Sequence, residues 1–150
     1  MIEVRFAPNA RGISAAWVKS VVRASLAFEN KKGRSVSVFL TGDKEIRKIN
    51  KRFLKHDYTT DVISFGTVVG APRRNAPTES GYLGDLVVSV ETATRVAKEI
   101  AIPFKEELAR YLVHGTLHLL GYNDKKPKDK KLMHRRQEWI LERLCTSQER

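Results

Sequence analysis

The chain has 150 residues, with 28 Lys and Arg against 17 Asp and Glu, a formal net charge of +11 and one cysteine. That length suits one domain with a real core. Ordinary hydrophobic and charged fractions of 41% and 30% argue against whole-chain disorder, and the lone Cys145 excludes an internal disulfide scaffold. A single thiol fits a reducing, cytoplasmic compartment. No apolar run approaches the ~20 residues of a membrane span, and Met1–Phe6 lacks the basic and apolar regions of a secretory signal. The charge is uneven. Residues 1–75 carry 15 basic and 6 acidic side chains, and residues 76–150 carry 13 and 11. A basic surface draws phosphate backbones through counterion release, so charge suggests a polyanionic partner without naming one.

Ile2–Phe6 alternates apolar and charged residues, as a half-buried strand does. Ser14–Phe28 has helical spacing, with Ser14 as N-cap, and Asn30–Gly33 reads as a turn. Ser35–Leu40 alternates as a second strand. Thr41-Gly42-Asp43 opens a helix with Ile46, Ile49 and Asn50 on its periodic face. Thr60–Phe65 is a third, β-branched strand, Gly70–Gly81 a loop, and Leu83–Val90 a fourth strand. Glu91–Ala101 is a helix stopped by Pro103. Phe104–Leu120 is a long, mostly apolar helix ended by Gly121. Lys128–Leu144 is the last helix. Four strands and five helices in mixed order predict one α+β domain, with helices packed on a small mixed sheet.

The chemistry concentrates in His114-Gly-Thr-Leu-His118-Leu-Leu-Gly121-Tyr-Asn-Asp124. Histidines four apart share one helix face and can reach one ion. Gly121 can take the left-handed conformation that turns the chain back, which brings Asp124 near both imidazoles. Two imidazoles and a carboxylate suit zinc with a fourth position open; nickel fits the same donors. Apolar neighbours Leu112, Val113, Leu117, Leu119 and Leu120 make two unpartnered imidazoles costly. The spacing matches the zincin pattern except that Gly115 stands where a peptidase has its general-base Glu, a loss of about 10²–10⁴-fold in rate. With a basic surface nearby, a phosphodiester is the substrate class that fits best. Composition and spacing do not choose RNA over DNA.

The string His114–Tyr122 resembles the His-Gly-x-Leu-His-Leu-x-Gly-Tyr signature of the YbeY family of bacterial ribosomal-RNA maturation factors. Thr60-Asp61-Val62-Ile63-Ser64-Phe65 and Leu83-Gly84-Asp85-Leu86-Val87-Val88-Ser89 resemble two further segments of that family, and Met133, Glu138 and Leu141 its closing motif at a slightly different spacing. The resemblance implies a metal-dependent endoribonuclease acting on single-stranded RNA. In the family this activity is tied to the 3′ end of 16S rRNA, to the small ribosomal subunit and to ribosome quality control. It implies one zinc per chain, on His114 and His118, with Asp124 at the place of the family's third histidine. It also implies an Arg four residues after Asn50, where this chain has Leu54.

Arg52, Lys55 and His56 form a basic rim suited to RNA phosphates, or a solvated helix end. Lys125 and Lys126 open a second basic run beside Asp124. Ser64 reads either as a phosphate partner or as a ladder residue, and Asp85 either orients a ligand imidazole or caps a turn. Asp57 and Asp61 read as turn or cap residues, His134 as a surface partner of Glu138, and Trp17 and Trp139 as core aromatics. Two rival functions stand beside the nuclease: a non-catalytic RNA- or ribosome-binding assembly factor with a structural metal, and a zincin-like metallopeptidase.

Overall fold

A computed structural model describes residues 1–66 and 81–148, with side chains through Leu144. Strand β1 (Ile2–Phe6) leads to helix α1 (Ala15–Phe28), whose first turn is capped by Ser14 Oγ accepting from Trp17 N at 3.1 Å. Strand β2 (Ser35–Thr41), helix α2 (Asp43–Leu54), strands β3 (Val62–Gly66) and β4 (Tyr82–Ser89), and helices α3 (Val90–Glu99), α4 (Phe104–Leu119) and α5 (Pro127–Gln148) follow. The sheet order is β1-β2-β4-β3. β2 is parallel to both neighbours, and β3 is antiparallel to β4. Among the described residues this is the mixed four-stranded sheet with five helices that the sequence predicts.

Period-two alternation divides the strands between two cores. Val36, Val38, Leu40, Leu86 and Val88 face α1 and α4 in the larger core. Ile63 and Val87 face Ile46 of α2 in a smaller one, closed by Phe39, Ile49 and Phe65. The central helix is α4. Its Leu108, Leu112, Val113 and Leu117 are fully buried, each contributing about 2 kcal/mol.

Element ends differ from the sequence expectation where a side chain intervenes. Val90 falls in α3 rather than β4, because Ser89 Oγ accepts from Thr92 N at 3.1 Å and starts the helix. The third strand begins at Val62 rather than Thr60, because the chain bends at Asp61, whose Oδ1 takes the Val62 N–H at 2.7 Å. Ala101 has φ +57°, which ends α3 ahead of Pro103. Helix α5 starts at Pro127, a residue suited to a first helical position, and runs past Leu144 to Gln148. The expected Gly70–Gly81 loop lies outside the described residues except for Gly81, as does the side chain of Cys145.

The N-termini of α2 and α3 are tied together by their acidic side chains. Gly42 has no side chain with which to cap α2, and Glu91 Oε1 accepts from Asp43 N at 2.9 Å instead. In return Asp43 Oδ1 accepts from Ser89 Oγ at 2.6 Å and Thr92 Oγ1 at 2.5 Å, and Oδ2 from Arg95 at 2.8 Å.

Candidate metal centre

His114 and His118 lie one turn apart at the C-terminal end of α4, both half-buried. The helix closes with Gly121 N donating to His118 O at 3.0 Å and Tyr122 N to Leu117 O at 3.1 Å, and Gly121 has φ +102°. That left-handed residue folds the chain back. Asp124 Oδ2 then lies 3.4 Å from His118 Nε2 and 3.9 Å from His114 Nε2. The turn is tied to α1 by Tyr122, whose hydroxyl donates to Glu29 Oε2 at 3.1 Å. Burial, then the Glu29 charge, raise that phenol's pKa.

The hydrogen bonds fix both imidazole tautomers. The Tyr122 carbonyl only accepts, so His118 Nδ1, 3.1 Å away, carries the proton. The His114 tautomer is set through Arg110, Glu138 and Gln137. Arg110 holds Glu138 with Nε and Nη2, each at 3.1 Å, and donates to Glu107 Oε1 at 2.8 Å. The Glu138 carboxylate takes Gln137 Nε2 at 3.0 Å, which turns the Gln137 carbonyl oxygen toward His114 Nδ1 at 2.7 Å. His114 Nδ1 therefore donates as well. Both Nε2 atoms are left as lone pairs, 3.1 Å apart, facing a carboxylate. Burial, then the neighbouring His114, lower the His118 pKa, while Asp124 pulls the other way.

Three acceptors without a donor converge here, all within 4.8 Å of one another. Such a set is repulsive unless a cation or a shared proton sits between. Tetrahedral ligands ~2.0–2.1 Å from zinc stand about 3.3 Å from each other, so the donor chemistry and spacing fit a divalent ion. Asp124 is the most exposed of the three donors, with 44% of its side-chain surface accessible.

Gly115 explains the absent general base. A Cβ there would lie 2.7 Å from Leu86 Cδ2 and 3.1 Å from Val62 Cγ2. The residue after His114 faces the sheet, and its bareness lets α4 lie close against β3 and β4. Ser64 also belongs to this contact, its Oγ donating to Gly115 O at 3.2 Å.

The remaining sequence-selected residues fall into two groups. Lys125 and Lys126 are exposed beside Asp124, and Lys125 N donates to Asn123 Oδ1 at 2.7 Å. Arg52, Lys55 and His56 are exposed at the end of α2. Lys55 caps that helix with φ +59°, and Arg52 lies over the Phe53 ring at 5.3 Å. Asp85 accepts from the Tyr82 hydroxyl, and the imidazole protons go to Gln137 and Tyr122. Asp57 pairs with Arg47 at 2.8 Å. The Asp43 carboxylate and Gln137 were not selected from sequence. Gln137 had a legible signal: it is a polar residue in the buried stripe Met133, Ile140 and Leu144 of α5, and a buried amide needs partners.

Two tautomer-locked imidazoles and a carboxylate at the end of the central helix of an α+β domain define a centre whose donors could hold one metal ion. The sequence profile described as Endoribonuclease YbeY matches residues 9–145, and this chain belongs to that family. Relatives named Endoribonuclease YbeY include one from Persephonella marina, 36% identical over 137 residues, covering 89% of this chain and 86% of the relative. One from Desulforamulus reducens is 38% identical over 128 residues, covering 85% and 84%. The solution structure of TM1509 from Thermotoga maritima has the same fold, with a TM-score of 0.66 at 23% identity, covering 99% of this chain and 92% of that one. No helix among the described residues is long and apolar enough to cross a membrane.

Proposed function

We propose that residues 1–150 form one metal-dependent endoribonuclease domain that cleaves single-stranded RNA. Its role would lie in ribosomal-RNA maturation at the 16S 3′ end and in quality control of the small ribosomal subunit, in the cytoplasm. The observation that carries this reading is the convergence, within 4.8 Å, of the Asp124 carboxylate and the two Nε2 atoms that the Nδ1 hydrogen bonds leave as lone pairs, in a chain of this family. His114, His118 and Asp124 would hold zinc, with nickel as the alternative. Such an ion supplies Lewis-acid polarisation of a phosphoryl oxygen. The chain's own part is to hold the imidazoles in their ligating tautomer through Gln137 and Tyr122. It also offers cations on two flanks, Lys125 and Lys126 beside Asp124, and Arg52, Lys55 and His56 at the end of α2, for RNA phosphates. Leu54 offers no charge for that purpose.

Gly115 argues against the peptidase reading, because its packing leaves no room for a carboxylate. Elemental analysis of the purified protein should give one zinc per chain, and Asp124→Ala should lose most of it. Full occupancy after that change overturns the ligand set. Cleavage of a single-stranded rRNA precursor should disappear in His114→Ala with the fold intact. Zinc-loaded wild type that binds the RNA without cleaving it supports the non-catalytic assembly factor with a structural ion. A 2′,3′-cyclic phosphate product marks attack by the 2′-hydroxyl, and its absence marks attack by water.

A further inference from the structure

We infer that the turn after α2 is a base-stacking platform for single-stranded RNA, formed by Phe53, His56 and Tyr58; this rests on the nuclease reading and adds a site that reads bases rather than phosphates. Large apolar side chains left in water gather here. Phe53 is 60% exposed, Leu54 42% and Tyr58 54%, half of the exposed large hydrophobics among the described residues, within six positions of one another. Contiguous apolar surface rimmed by charge marks an interaction site.

The turn is held in shape by hydrogen bonds and ion pairs within residues 47–58. Asn50 is buried, and its side-chain amide donates to Tyr58 O at 2.9 Å. His56 N donates to Asn50 O at 3.2 Å. Asp57 pairs with Arg47 and, at 3.9 Å, with Lys51. Between these anchors the His56 and Tyr58 rings lie nearly parallel, 14° apart with centroids at 5.2 Å, and Tyr58 Oη is hydrogen-bonded to His56 Nδ1 at 3.0 Å. Phe53 stands edge-on to Phe65 at 5.7 Å. The aromatic faces are thus preset and cost little ordering when a ligand binds.

Charge selects the occupant. Residues 44–58 carry six basic and two acidic side chains. Arg52 and Lys55 have no carboxylate partner among the described residues. Flat π-faces interleaved with cations that no carboxylate neutralises suit unpaired bases on a phosphate backbone; a duplex would present no bases to stack. The position also fits. Tyr58 is four residues, at most about 14 Å of chain, from Val62, which packs beside Gly115 next to His114. A strand laid on the platform is therefore led toward the ligating face of α4.

The test measures binding by the full-length protein in chelator, which prevents cleavage. The probes are a fluorescent oligoadenylate and an abasic strand of the same length and charge. The intact strand should bind about ten-fold or more tightly than the abasic one. Tyr58→Ala should remove most of that difference while leaving abasic binding unchanged, and Tyr58→Phe, which keeps the ring, should restore it. Phe53→Leu should act as Tyr58→Ala does, more weakly, and a circular-dichroism melt checks that it folds. Equal binding of the two strands, or Tyr58→Ala weakening both alike, overturns the platform and leaves the patch to a protein partner. Cleavage by the zinc-loaded wild type, read separately, tells that outcome from failure of the nuclease reading. If that protein neither cleaves nor binds the intact strand, both fall.

Discussion

Gln137 Oε1 accepts the Nδ1 proton of His114 at 2.7 Å, and its amide can point no other way because Glu138 holds Nε2. The tautomer of a ligating imidazole is thus set by a carboxylate that never touches it. Partners of this kind are worth about 10–100-fold in metal affinity. Gln137→Leu should weaken zinc binding by that factor in competition with a chromophoric chelator, with little loss of helical signal. Long-range ¹⁵N spectra of the apo-protein should show His114 losing its preference for the Nδ1-protonated form. An unchanged spectrum sinks the assignment.

Clustered acceptors are costly in the apo-protein, so an ion should stabilise the fold. At a hundred times its Kd, zinc contributes about 2.7 kcal/mol, roughly 5–10 °C in Tm for a chain this size. Chelator should reverse the shift, and His118→Ala should abolish it. A melting curve insensitive to zinc would mean that these three side chains hold no ion.

Asp43 joins the starts of α2 and α3. Burial alone would raise its pKa, but hydrogen bonds from Ser89, Thr92 and Arg95, with the Arg95 charge, outweigh it and lower the value. A depressed folded pKa gives stability that is present above the unfolded value and lost as pH falls through the folded one. Asp43→Asn should therefore cost about 2 kcal/mol at neutral pH. In urea titrations run down to about pH 3, below the unfolded pKa of ~3.9, the gap to wild type should narrow. A gap that stays constant with pH contradicts this account.

Gly84 faces Gly66 across the β3–β4 ladder at φ +144°. A Cβ there would stand 2.1 Å from the Phe65 carbonyl oxygen and 2.9 Å from Leu119 Cδ2. Both the backbone conformation and the space exclude a side chain. Gly84→Ala should destabilise by about 2–3 kcal/mol in chemical denaturation. Loss of only a few tenths would show that the ladder can move aside.

Local physics made much of this molecule readable from its residues. Period two in Ser35–Leu40, period 3.6 in Ser14–Phe28, and the Ser14 cap needed no partner to be seen. The His114, His118, Gly121 and Asp124 spacing is likewise local, since all four lie on one helix end and the turn after it. What escaped depends on contacts distant in sequence. Gln137 meets His114 only when α5 packs on α4. Glu91 caps α2 only when α3 lies beside it. The sheet order follows from which apolar faces α1, α2 and α4 cover. Thr60 and Asp61 read as strand because their neighbours are strand-like, although the Asp61 carboxylate takes the Val62 N–H at a bend.

The central position of β2 has a kinetic consequence. Both of its neighbours are parallel to it: Val38 pairs with Val4 on one side and Leu86 on the other. Each of those pairings joins residues tens of positions apart, and each closes a large loop before any ladder bond rewards it. Neither of the β2 pairings can form as a local hairpin; among the described strands only the consecutive antiparallel β3 and β4 can pair that way. The chain should therefore refold in milliseconds to seconds rather than at helical-bundle speed, with α1 and α4 forming early and the sheet closing on them late.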